Sequence, residues 1–456
     1  MLRIFFSFLL MLLLENPAFA EEELQVRLAE ILPRTARWAV VALDLKTGKE
    51  VASAGSSLKE ALIPGSLVKL ITAGAVLECD GLDLRTIILH DGKIEDGILY
   101  GSLYFRGQGN AFLSTADIYA VAHTIAAKGI KRITGNIIAD DSLLDPKGLE
   151  RSHTGPGYAP AGALGADLHT AAVIVSPAEP DRPPAISVDP PNAAVRLAVE
   201  ARTTTAQTGN IRVTQIDDLA YRVTGNISTG SRPLKWRFAL HEPALYASGA
   251  LRAALNQAGV KVENIGRGKT SKDAKTLAEI KGPDLRALLR DVNVNSLNVE
   301  ADNLFLLLGA EKYGVPGTRE KGMRAVNDFL ATFGLRKGEA AIGDGSGLSI
   351  ENRLTAGFLT RYLYAVTKRP WFESFRSSLP RAGIEGTVRD MGHKDERFRV
   401  KSGRLEDVYA LAGYGVDARG REVAFAFMVN TPGAAVFNMD RSGDEVMKYL
   451  HTEVIQ

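Results

Sequence analysis

Residues 63–78 read IPGSLVKLITAGAVLE. Pro64-Gly65 punctuates the chain, and the apolar side chains that follow at 67, 70, 71 and 74–77 have the spacing of a buried helix beginning at Ser66. Ser66 and Lys69 are one helical turn apart, so a hydroxyl and an amine share a face at a helix N-terminus, where the dipole favours developing negative charge. A serine needs such a neighbouring base to become a nucleophile. On the N-terminal side, residues 38–45 (WAVVALDL) form a β-rich run, 46–48 a turn and 49–52 the returning strand of a hairpin. On the C-terminal side, residues 83–275 change texture. Short β-like runs such as 87–89, 99–105 and 211–213 alternate with Gly, Asn and Asp turns and a proline-rich patch at 177–191, as in β-rich inserted modules. Helical periodicity returns at 285–289, 299–308, 323–333 and 354–366. Strands at 398–401, 409–416 and 422–429 and a helix near 445–454 close a chain of mixed α/β class.

Composition sets the bounds. The chain has 456 residues, 45% hydrophobic and 24% charged, the values of a folded globular protein of about three domains. Lys+Arg 55 against Asp+Glu 53 leaves +2, too balanced for a phosphate-binding surface, so nucleic acid is excluded as a partner. The single Cys79 excludes an intramolecular disulfide and any multi-cysteine metal site, and reads as a small buried hydrophobe. Seven histidines without ligand spacing argue against a zinc peptidase. Arg3, an apolar run over 4–14 and Ala18-Phe19-Ala20 read as a cleaved secretory leader of residues 1–20, which directs the mature chain to a bacterial cell envelope. No later segment reaches the ~20 apolar residues of a membrane span. The 445–455 segment reads as a packed helix, leaving at most peripheral membrane contact.

S-x-x-K alone is a weak signal, and the chain carries a second copy, Ser56-Ser57-Leu58-Lys59. Pro64 and Gly65 follow that copy too closely for a long helix, which makes Ser56 a loop serine. Ser296-Leu297-Asn298 lies just before an apolar helical run and, read alone, is also a polar N-cap cluster. Lys401-Ser402-Gly403 ends a strand. Lys46-Thr47-Gly48 matches K-[ST]-G more literally but sits at the hairpin tip, where Thr-Gly makes the turn.

In the order S-x-x-K, S-x-N, K-[ST]-G, these elements resemble the active-site set of penicillin-binding proteins and serine β-lactamases. The stretches 63–70, 344–349 (DGSGLS), 378–387 (SLPRAGIEGT) and 401–403 are similar to the low-molecular-mass class C penicillin-binding proteins, the D-alanyl-D-alanine carboxypeptidase/endopeptidase family. The spacing of 227 residues from 69 to 296 fits that family's large insertion. The resemblance implies a penicillin-recognising, β-lactamase-like α/β (α+β) domain at 21–82 and 276–456, an inserted domain II at 83–177 and 236–275, and a nested β-rich domain III at 178–235. It implies Ser66 as nucleophile, Lys69 as base and Ser296 as proton relay to the leaving amine. Asn298, Lys401, Ser402, Gly403 and Arg404 would bind substrate, with the N–H groups of Ser66 and Arg404 as oxyanion hole. The implied substrate is the peptidoglycan stem peptide, with β-lactams as covalent inhibitors, no metal or cofactor, and a periplasmic location.

The chain departs from the family at Leu297, where Asp is usual, and at Arg404, where K-T-G-T has a small hydroxylic residue. It also departs at Gly107-Gln108-Gly109-Asn110-Ala111, and it lacks a tryptophan-rich stretch near 155–160. Arg404 is expected to compensate by gripping the substrate's terminal carboxylate; the alternative is a side chain in solvent with only its N–H at the site. A catalytically weakened peptide-binding relative and a β-lactamase- or esterase-like hydrolase are the competing functions. The intact Ser66, Lys69, Ser296, Asn298 and Lys401 favour the peptidase. The 344–349 stretch reads as a glycine-rich turn, with a site-lining role as the lesser reading.

Overall fold

The β-branched and aromatic runs around Val40 and Phe425 pair at the centre of the main sheet. The computed structural model describes residues 17–79, 81–149, 155–417, 420–433 and 440–452. Residues 1–16, which hold most of the expected leader, lie outside the described residues. The chain divides into two compact units, one of residues 1–80, 284–301 and 322–456, the other of residues 81–283 and 302–321.

In the first unit, β1 (Arg37–Asp44), β2 (Glu50–Ala54), β3 (Arg381–Ala382), β4 (Asp395–Leu405), β5 (Val408–Val416) and β6 (Glu422–Asn430) form one antiparallel sheet. Its order is β3-β4-β5-β6-β1-β2. Its helices include α1 (Pro17–Ile31), α2 (Val68–Glu78), α3 (Leu285–Asn295), the first turn of α4 (Asn298–Tyr313), α5 (Ala356–Val366) and α6 (Asp440–Thr452). Strands β1, β5 and β6 are buried almost throughout, so both sheet faces are covered. On one face Val40, Tyr409, Leu411, Phe425 and Phe427 pack with Leu24 and Leu28 of α1 and Val446, Met447 and Leu450 of α6. On the other, α5 is tied to the sheet by Thr360 Oγ1, which donates to the Val41 carbonyl at 3.2 Å, and by Tyr414 Oη, which donates to the Leu363 carbonyl at 2.9 Å. Tyr362 of α5 also donates to the Leu70 carbonyl of α2 at 3.1 Å. Burial of this many apolar side chains, each contributing about 1.5–3 kcal/mol, makes the sheet a rigid base for the residues at its edge. The helix expected from Ser66 begins instead as a 3-10 turn, Gly65–Leu67, that runs directly into α2.

The second unit is built on a five-stranded sheet ordered Ile265–Arg267, Ile137–Asp140, Leu103–Arg106, Thr86–His90, Lys275–Ile280. The helices Thr115–Ala127 and Pro243–Gln257 bury their apolar faces in the same core as this sheet. Two three-stranded sheets spanning residues 170–239 enclose a separate small core of Val173, Val175, Ala201, Tyr221, Val223 and Ile227. The boundaries expected at 177/178, 235/236 and 275/276 fall beside or within these elements: Thr170–Ser176 and Leu234–Ala239 pair with each other and contribute Val173, Val175, Trp236 and Phe238 to the small core, and Lys275–Ile280 pairs with Thr86–His90. Among the described residues no helix is long and apolar enough to cross a membrane.

Candidate active site

Ser66 lies in the 3-10 turn and Lys69 in the first turn of α2, with Lys69 Nζ 3.1 Å from Ser66 Oγ. The amine is fully buried and also lies 2.7 Å from Asn298 Oδ1 and 2.6 Å from the Ser346 carbonyl oxygen. Both neighbours accept hydrogen bonds and neither donates one, so they orient the amine's N–H bonds. The amine is thereby fixed within hydrogen-bond reach of the Ser66 hydroxyl. A general base requires that arrangement.

The Ser346 carbonyl is held in place by a turn over residues 344–349. Buried Asp344 accepts from the Gly347 N–H and Asn352 Nδ2 on one oxygen and from the Ser349 N–H on the other, each at 2.7–2.8 Å. Thr72 of α2 donates to the neighbouring Gly345 carbonyl at 2.9 Å. The D-G-S-G-L-S string is therefore both the turn and a wall of the site, and its contact with Lys69 is made by a main-chain oxygen.

Ser296 and Leu297 join α3 to α4, and Ser296 takes the left-handed conformation (φ 55°, ψ 44°) as the C-cap of α3. A side chain there is strained by roughly 1–3 kcal/mol, a conformation that persists only where the surroundings fix it. The kink delivers Ser296 Oγ to 3.1 Å from Lys401 Nζ and starts α4 at Asn298, whose amide oxygen meets Lys69. Lys401 Nζ also donates to the Ser402 carbonyl at 2.8 Å. Burial holds the Lys401 proton affinity well below the usual lysine range, and the neighbouring basic groups of Lys69 and Arg404 lower it further.

Strand β4 supplies the last wall. β3 pairs only with residues 395–399 of β4, and the Val400 N–H points to that side, donating to the Pro380 carbonyl at 3.0 Å. By strand alternation the N–H groups of Ser402 and Arg404 point the same way, along an edge past the end of β3. Gly403 fits against the nucleophile's turn: a Cβ there would overlap the Pro64 carbonyl and stand 3.2 Å from the Ser66 N. Lys401 lies opposite Ala412, on the face of α5. Ser402 and Arg404 lie opposite Leu411 and Tyr409, on the other face. The Ser402 hydroxyl is 2.9 Å from Thr387 Oγ1. The Arg404 guanidinium, expected beside a substrate carboxylate, is paired with Asp440 and stands over the Tyr409 ring with its carbon 5.6 Å from the centroid.

The two decoys are used locally. Ser56 Oγ bridges the Trp38 N–H and the Ala36 carbonyl at 3.2 Å each. Thr47 closes a turn on Asp44. Of the site residues named from sequence, Ser66, Lys69, Ser296, Asn298, Lys401, Ser402 and Gly403 come together through these contacts. Ser346 and Thr387 join them from stretches whose strings stood out but whose contacts did not.

Comparison with known proteins places this geometry in a family. A D-alanyl-D-alanine carboxypeptidase of Actinomadura sp. (strain R39) is 29% identical, covering 86% of this chain and 77% of that one. The D-alanyl-D-alanine carboxypeptidase DacB of Haemophilus influenzae is 26% identical over 93% of this chain and 91% of its own. The crystal structure of penicillin binding protein 4 (dacB) from Haemophilus influenzae has the same fold, with a TM-score of 0.79 at 23% identity, covering 94% of this chain and 99% of that chain. Residues 20–449 match the D-Ala-D-Ala carboxypeptidase 3 (S13) family. With nearly its whole length matched and a lysine-backed serine at the head of α2, this chain belongs to that family of serine-type D-Ala-D-Ala peptidases.

Proposed function

We propose that the chain cleaves acyl-D-Ala-D-Ala termini, D-centred cross-links or both in peptidoglycan stem peptides, through an acyl-enzyme on Ser66. The observation that carries this reading is the buried Lys69 amine, 3.1 Å from Ser66 Oγ and held there by Asn298 Oδ1 and the Ser346 carbonyl. Lys69 takes the Ser66 Oγ proton as the bond from Oγ to the scissile carbonyl carbon forms. The carbonyl oxygen becomes anionic against the N–H groups of Ser66 and Arg404, donors that no side-chain replacement at 404 removes. Collapse breaks the C–N bond, and the leaving amine takes a proton from Ser296 Oγ, which Lys69 replenishes and Lys401 steadies. Water then attacks the ester by the same route, releasing the shortened peptide acid and restoring Ser66. Asn298 and the β4 edge at Ser402, Gly403 and Arg404 hold the substrate backbone, while Lys401 and Ser402 face its carboxylate end.

β-Lactams enter the same cycle as covalent inhibitors, in keeping with the name of the Haemophilus protein. We also propose that residues 1–20 are a leader, that the mature enzyme works in the periplasm with at most peripheral membrane contact, and that residues 178–235 form the body of a nested third domain. A fluorescent penicillin tests the central claim by in-gel labelling. Wild type and Ser56→Ala are expected to label and Ser66→Ala to stay dark; labelling of Ser66→Ala would overturn the assignment.

A further inference from the structure

We infer that Thr387 is a carboxylate-binding residue of this site, acting with Ser402 as a paired-hydroxyl receptor for the substrate's C-terminal carboxylate. The inference rests on the acyl-transfer reading above, to which it adds a residue and a specificity.

Thr387 is exposed, and its Oγ1 meets Ser402 Oγ at 2.9 Å, next to buried Lys401. Two hydroxyls bonded to each other share one proton and leave the second unused. An arriving carboxylate offers two oxygens, so each hydroxyl can give its proton to one of them. One neutral hydrogen bond is then exchanged for two charge-assisted ones, each roughly twice as strong. Hydrogen bonds to an ionised acceptor are the stronger kind, so the anion is favoured over a neutral amide of the same shape.

Thr387 is also held where such a receptor must be. Gly386 has a left-handed φ of 51°, and a Cβ there would run into the Val294 carbonyl, two residues before Ser296. This contact seats the turn against the end of α3. On the other side Glu385 accepts from Arg290 at 3.0 Å and from Arg381 Nε at 2.6 Å, and Arg290 is itself bonded to the Ser377 carbonyl at 2.9 Å. The turn is thereby fixed between α3 and β3. Arg404, the next residue on Ser402's side of β4, has its guanidinium committed to Asp440 and stacked over Tyr409. The hydroxyl available beside Ser402 is that of Thr387.

The test uses benzylpenicillin and its methyl ester, which differ in the carboxylate alone, as acylating probes of the full-length protein. Thr387→Val removes the hydroxyl at constant shape and Thr387→Ser restores it. Acylation by benzylpenicillin is expected to slow about tenfold in Thr387→Val and to recover to within about threefold of wild type in Thr387→Ser, while the rate with the methyl ester changes less than threefold. An unchanged benzylpenicillin rate in Thr387→Val, an equal loss on both probes, or no recovery in Thr387→Ser would each overturn the assignment. Failure of wild type to acylate with either probe would instead strike the acyl-transfer reading itself.

Discussion

Lys401 is a cation-forming side chain buried with the Ser296 hydroxyl and the Ser402 carbonyl as hydrogen-bond partners, close to the Lys69 amine and the Arg404 guanidinium. Its proton affinity is therefore depressed in the folded state, chiefly by burial. A lysine of this kind binds fewer protons folded than unfolded between its lowered value and the ordinary 10.5, so it makes stability rise with pH across that window. Lys401→Met removes the titration at similar volume. The variant is expected to be more stable than wild type at pH 7 in chemical unfolding, with the gap narrowing as pH approaches 10.5, and to lose rapid penicillin acylation. Lower stability than wild type at both pH 7 and pH 10 would show that the amine is a net structural asset and refute the argument.

At the scale of elements, the junction of α3 and α4 does most to bring distant sequence together. Asp284 caps α3, accepting from the Arg286 and Ala287 N–H groups at 3.1 and 3.0 Å, and the helix ends on Ser296 in a left-handed turn that glycine would occupy without strain. Ser296→Gly and Ser296→Ala both delete the hydroxyl, but only the first relieves the backbone. Ser296→Gly is expected to be the more stable by about 1 kcal/mol in urea unfolding, with both variants slow in acyl transfer. Equal stabilities would mean that the kink is unstrained.

The same junction marks what the sequence makes legible. The S-x-N string stands out because its side chains carry chemistry, and the strands of the sheet stand out because their apolar runs are long. The left-handed turn at Ser296 has no letter of its own. The Ser346 carbonyl and the Ser402 and Arg404 N–H groups are main-chain atoms that every residue possesses, so nothing in the string marks them. The contacts of Arg404 with Asp440 and of Thr387 with Ser402 join segments whose proximity is set by the sheet order, which a single sequence does not display.

On the scale of the whole molecule, the insertion between Lys69 and Ser296 was visible as texture, but its limits were not. The strand Lys275–Ile280 completes the second unit's sheet from beyond the expected boundary. The second unit also holds a group whose behaviour no motif announces. His169 is fully buried, with Nδ1 2.8 Å from the Pro160 carbonyl and Nε2 without a hydrogen-bond partner among the described residues. Asp167, Leu168 and His169 run through three successive left-handed conformations, with φ of 50°, 58° and 56°, which fix the ring in its slot. Burial lowers the imidazole pKa to about 4. Between that value and the ordinary 6.5 the unfolded chain takes up a proton that the folded chain refuses, so stability falls as pH falls through this window. The loss reaches the order of 3 kcal/mol by pH 4. His169→Gln keeps an N–H donor and removes the titration. Its unfolding free energy is expected to fall less steeply than that of wild type between pH 6.5 and 4, by up to about 1.4 kcal/mol per pH unit, because the carboxylates contribute alike to both proteins. Parallel pH profiles for the two would place the acid lability elsewhere.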